Sequence, residues 1–153
     1  MRLIAALYVL STLLARAAHA EQVFSCDGAE VRIEVVAHES PTWEDRAQAV
    51  FTVSRGREKT VLRYQNIDFI GGQCVVKDKA QSLVIFQAYC GGSGCKDRDN
   101  WGVIDPRTLR VLTVPSVTNR EEAKKILGDT ALPTLPLLSI FTEARKQGIK
   151  VPD

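Results

Sequence analysis

Leu83-Val84-Ile85-Phe86-Gln87-Ala88-Tyr89-Cys90 is apolar on both faces for most of its length. A strand with one wet face alternates apolar and polar residues, so this run predicts a strand covered on both sides, at the centre of a sheet. The segments before it are half-wet strands. Val31, Ile33 and Val35 alternate with Arg32 and Glu34, and Ala47, Ala49, Phe51 and Val53 alternate again after a polar stretch over 37–46 that holds Pro41 and Trp43. Cys26-Asp27-Gly28-Ala29 places Asp-Gly between strands expected at 22–26 and 31–36, which is a two-residue hairpin signal. Arg55-Gly56-Arg57-Glu58 turns the chain into a strand over 59–65. Gly71-Gly72 is expected to precede a strand over 73–77, and 78–81 to turn into the central run.

Beyond the run, strands at 101–105 and 109–114 flank Asp105-Pro106-Arg107-Thr108, whose proline suits the second position of a type I turn. The pattern then changes period. Thr118-Asn119-Arg120-Glu121 reads as a capping box, Ala123, Ile126 and Leu127 form one apolar face, and Gly128 stops the helix. Leu132-Pro133-Thr134-Leu135-Pro136 links to a second helix over 137–147, with Leu137, Leu138, Phe141 and Ala144 or Arg145 on successive turns before Gly148. The expected fold class is α+β: a mainly antiparallel β meander of about seven or eight short strands followed by two C-terminal helices.

The first twenty residues stand apart from this pattern. Met1 and Arg2 precede the apolar stretch from Leu3 to Leu14, and Ala18-His19-Ala20 supplies the small-x-small pattern that signal peptidase reads. The expectation is a signal peptide over 1–20 and a single secreted domain over 21–153, without membrane insertion. Of the 20 Lys and Arg residues, Arg2 and Arg16 leave with the leader, so the rest balance the 18 Asp and Glu residues. A neutral domain without a basic run offers no footprint for nucleic acid.

His38 is the only histidine outside the leader. That argues against a multi-histidine metal centre, and no cofactor is implied. Four cysteines, Cys26, Cys74, Cys90 and Cys95, in a chain sent to an oxidising compartment read as two disulfides. Three connectivities are possible in principle. The glycines between Cys90 and Cys95 can bend the chain sharply, which favours Cys90–Cys95 with Cys26–Cys74.

Cys90-Gly91-Gly92-Ser93-Gly94-Cys95 cannot pack a core, and a disulfide across it would hold a small-residue tip in few shapes, suited to entering a narrow cleft at low ordering cost. Lys96-Asp97-Arg98-Asp99-Asn100-Trp101 follows. Asp97, Asp99 and Gly102 fall at positions one, three and six of a calcium loop, but Trp101 stands at the fifth position, where a ligand belongs, and Thr108 at the acidic twelfth. The expected metal site is therefore none. A partner-binding surface is expected from Gly91, Gly92, Ser93, Gly94, Lys96, Asp97, Arg98, Asp99, Asn100 and Trp101, with Trp101 as anchor, although Trp101 reads equally as a core residue. Ser93 is not in a nucleophile elbow, since Gly91 and Cys95 flank Gly92-Ser93-Gly94, and His38 beside Glu39 reads as a solvated loop residue. No catalytic residue is assigned.

Leu83-Val84-Ile85-Phe86, the Cys90-Gly91-Gly92-Ser93-Gly94-Cys95 loop and Trp101-Gly102-Val103-Ile104-Asp105-Pro106-Arg107-Thr108-Leu109-Arg110-Val111-Leu112 together resemble the inhibitory region of periplasmic immunity proteins that neutralise type VI secretion amidase effectors. The resemblance implies a small secreted β-rich domain that presents a Gly/Ser-rich loop between two strands, the second ending in an Asp-x-x-Thr turn. It implies a stoichiometric inhibitor that plugs the cleft of a cognate Cys-His peptidoglycan amidase, and it maps Ser93 onto the loop serine. The Cys90 and Cys95 bracket and the 97–100 insertion depart from that pattern. An inhibitor of another cell-wall hydrolase such as lysozyme would instead lean on Lys96 or Arg98. A calcium-binding envelope module or a small hydrolase is the alternative from another class, and a homodimer is left open.

Overall fold

The structure is a computed structural model that describes residues 21–39, 47–78, 81–92, 100–116 and 119–151. The signal peptide expected over 1–20 lies outside the described residues. The described residues form the α+β arrangement expected, with eight antiparallel strands ahead of two C-terminal helices and one short further strand between the helices. A meander builds a four-stranded sheet in the order β1 (Glu21–Cys26), β2 (Ala29–Ala37), β3 (Ala47–Arg55), β4 (Glu58–Tyr64). Asp27 and Gly28 both have positive φ, 48° and 78°, the backbone that a two-residue hairpin requires and that Asp-Gly adopts at little cost. Alternation does the rest. Val31, Ile33 and Val35 of β2 face the same way as Ala49, Phe51 and Val53 of β3 and all six are fully buried, while Arg32, Glu34 and Thr52 lie on the opposite face.

The second sheet has five strands in the order β8 (Arg110–Thr113), β7 (Gly102–Asp105), β6 (Gln81–Tyr89), β5 (Phe69–Asp78), β9 (Leu138–Ser139). β6 is its middle strand, as its two-faced apolarity requires. Val84, Phe86 and Ala88 face the first sheet in one core with Ile33, Phe51 and Val53, where the Phe51 and Phe86 rings are 4.4 Å apart. Leu83 and Ile85 point the other way, into a second core with Trp101, Val103, Leu135 and the apolar face of α1 (Arg120–Ile126), which includes Ala123. The second sheet is thus the filling of a three-layer stack. Tyr64 also lies against Phe86, at 6.2 Å, and burial pushes its hydroxyl above the ordinary tyrosine range, so it stays neutral.

Cys26 and Cys74 form a disulfide with Cα atoms 5.2 Å apart, joining β1 of one sheet to β5 of the other. Gln22 repeats the link. Its side chain accepts from the Gly72 amide at 3.1 Å and donates to the Pro136 carbonyl at 3.3 Å.

Three local expectations need correction. Gly71 and Gly72 do not precede the strand but lie inside β5, because the Pro136 carbonyl crosses Gly71 where a Cβ would stand and the Ile85 carbonyl and Phe51 ring crowd Gly72. That close crossing carries Leu138 and Ser139 into register with Ile70 and Phe69 as the short edge strand β9. The second helix therefore starts late, at Ile140 rather than 137: α2 spans Ile140–Lys146, and the Ser139 hydroxyl caps it by accepting from the Thr142 amide. Asn119, not Thr118, is the cap residue of α1, and its side chain makes no capping bond because it is committed elsewhere. Thr118 lies outside the described residues.

Gly71→Ala is expected to lower the unfolding free energy by about 1–3 kcal/mol, since the added methyl must displace backbone rather than a flexible side chain. Gly56→Ala is the contrasting case: nothing lies within 4 Å of its added Cβ, but its φ of 61° makes any side chain there strained, so it shows a φ cost without crowding. Urea denaturation of both variants distinguishes the crossing from the φ effect, and a Gly71 variant as stable as the native protein would count against the crossing.

A candidate partner-binding pole

The topology sorts the connections between two ends. The turn at Asp27-Gly28, the turn after Arg55 and the β7–β8 turn meet at one pole, where Arg55 donates to the carbonyls of Pro106, at 3.2 Å, and Asp27, and Arg107 pairs with the Asp27 carboxylate. β7 runs into that pole and is antiparallel to β6. β6 therefore ends at the opposite pole, with the ends of β2 and β4. The Gly-rich segment leaves the scaffold there, beside the start of α2.

Asp68 organises the base of that segment with three different atoms. Its amide donates to the Tyr89 carbonyl at 3.0 Å, its carbonyl accepts from the Ile140 amide at 2.9 Å, and its carboxylate accepts from the Gly91 amide at 2.6 Å. One residue joins the end of β6, the start of the loop and the start of α2. The half-buried Phe69 and Tyr89 rings stack at 5.5 Å, and a Cβ on Gly91 would strike the Phe69 ring. Gly91 is thus needed for close approach. Cys90 is disulfide-bonded, while its expected partner Cys95 lies outside the described residues.

The expected contact residues separate into three groups. Gly91 and Gly92 are exposed at the pole. Ser93, Gly94, Lys96, Asp97, Arg98 and Asp99 lie outside the described residues, and with them the calcium reading of Asp97 and Asp99. Asn100 and Trp101 are corrected: they are 7% and 4% exposed, and neither offers a side chain to a partner. Asn100 donates to the Ala88 carbonyl at 3.3 Å. Trp101 fills the second core, with its backbone held by the Asn119 side chain, which accepts from the Trp101 amide at 2.7 Å and donates to the Trp101 carbonyl and, at 2.7 Å, to that of Val114. The amide side chain acts as a one-residue strand. A charged run before an aromatic gives no sign of this, because the decisive partner is eighteen residues away.

His38 lies on the other sheet, in an open pocket of about 310 Å³ lined by Glu39, Gln48, Arg63 and Gln65. Its Nε2 is within hydrogen-bonding reach of the Gln65 side-chain nitrogen. No serine, threonine or cysteine lines this pocket among the described residues. Asp68, Phe69 and Tyr89 are the residues of the pole that sequence reasoning passed over. An Asp three positions before Gly-Gly is too common to mark a hub. No known protein family, characterised protein or solved structure matches the chain.

Proposed function

We propose that the chain is a stoichiometric inhibitor, an immunity protein that acts in the periplasm and blocks the active-site cleft of a Cys-His peptidoglycan amidase effector. The observation that carries this reading is the base of the loop. Exposed Gly91 and Gly92 leave a packed central strand beside the Asp68 bond to the Gly91 amide and a cystine at Cys90, so the base from which the small-residue segment departs is tied to the scaffold, which lowers the ordering cost of binding through it. The Cys26–Cys74 disulfide supports life in an oxidising compartment. Among the described residues no helix is long and apolar enough to cross a membrane. The protein carries out no chemistry on this reading.

The test is a titration of the purified protein into an amidase of this class encoded beside it, following release of peptide from peptidoglycan. Activity is expected to fall linearly and to vanish at an equimolar ratio. Residual activity unchanged at a tenfold excess would overturn the proposal.

A further inference from the structure

The outer face of the four-stranded sheet carries charge in an ordered way. Strand register sets three rows of side chains across it: Glu21, Glu34, Val50, Arg63; then Val23, Arg32, Thr52, Val61; then Ser25, Glu30, Ser54, Lys59. The acids stand on β1 and β2, and the bases on β4. Arg32 pairs with Glu21 and with Glu30, at 3.2 Å for the latter, which leaves the β1–β2 side with net negative charge. Lys59 and Arg63 are exposed, and among the described residues no ion pair joins either to a carboxylate. The middle row carries Val23 and Val61, two of the exposed large hydrophobic residues, 48% and 36% exposed.

We infer that this face is a docking surface for a second copy of the same chain, stacked face to face about a two-fold axis that runs along the strands. Such an axis reverses the strand order of the copy while keeping each row over itself. Glu21 then faces Arg63 of the other copy, Lys59 comes over Ser25 beside Glu30, and Val23 faces Val61. One patch supplies both halves of the match, which is the condition for a closed isologous dimer. Packed sheets lie about 10 Å apart, within reach of Glu, Lys and Arg side chains from both sides. The aligned packing angle of about 30° leaves each row over its own image at the centre of the patch. Residues 21–153 carry balanced charge, so no net repulsion opposes the pairing. The surface is distinct from the loop pole, and the inference stands apart from the proposed inhibition.

Sedimentation velocity on the purified protein tests it. The native protein is expected to show a concentration-dependent dimer whose Kd rises at least about tenfold between about 50 mM and about 500 mM salt. Lys59→Glu/Arg63→Glu and Glu30→Lys/Glu34→Lys should each be monomeric, and a one-to-one mixture of the two should recover a heterodimer. A native protein that stays monomeric at low salt and high concentration overturns the inference, as does a folded charge variant that dimerises like the native protein or a mixture of folded variants that fails to associate. Should a variant fail to fold, zero-length carbodiimide cross-linking of isotopically mixed native protein decides. A bond between Lys59 of one copy and Glu30 of the other supports the face, and inter-copy bonds confined to other surfaces exclude it.

Discussion

Cys26→Ser is expected to lower the unfolding free energy by about 4 kcal/mol, the largest single effect on the scaffold. The Cys26–Cys74 bond spans 48 residues, and loop-closure entropy released to the unfolded chain gives about that figure for a loop of this length. A second cost adds to it: Cys26 is buried, so the serine hydroxyl must find a partner in an apolar core or lose its hydration. Cys90→Ser is expected to cost about 2 kcal/mol, taking the short Cys90–Cys95 loop read from the sequence, because a six-residue loop constrains little in the unfolded state. Urea midpoints for the two variants, compared at constant m, provide the check. Equal midpoints would mean that the inter-sheet bond is not the principal covalent constraint.

Gly92→Phe is expected to abolish neutralisation of an amidase at an equimolar ratio while leaving the thermal midpoint within a few degrees of the native value. Gly92 is exposed beyond the packed strand, so a phenyl ring there has solvent to enter in the free protein. In a closed cleft the same ring overpacks, at about 1–3 kcal/mol or with complete exclusion. Gly94→Phe should act the same way, whereas Ser93→Ala should cost about 1 kcal/mol of affinity, one neutral hydrogen bond. Gly91 is the wrong position for this experiment. A side chain there collides with the Phe69 ring, so loss of binding would be mixed with a disturbed loop base. If folded Gly92→Phe and Gly94→Phe proteins neutralise like the native one, the inhibitory surface lies on another face.

The parts of the fold legible in the sequence are those set by local pattern. Apolarity on both faces of 83–88 makes β6 the middle of a sheet covered on two sides, and Asp27-Gly28 fixes a hairpin within two residues. What was not legible depends on contacts distant in sequence. Gly71-Gly72 reads as punctuation until the Pro136 carbonyl is seen to cross it, and Leu138-Ser139 reads as helix until it pairs with Ile70 and Phe69. The candidate site follows the same rule. Its exposed glycines announce themselves by composition, whereas Trp101 reads equally as an interface anchor or as core, because the sequence around it gives no sign of the Asn119 side chain that holds it inside.

The inter-sheet disulfide also sets an order of events. The first sheet is built wholly from the contiguous segment between Glu21 and Tyr64, and Cys26 and Cys74 are the first two cysteines in the chain. A polypeptide delivered from its N-terminus thus presents the strands of the first sheet and then Cys74 ahead of Cys90. No third thiol is present to compete at that moment. In N-to-C order, the first pair of thiols able to meet is therefore the pair that joins the two sheets.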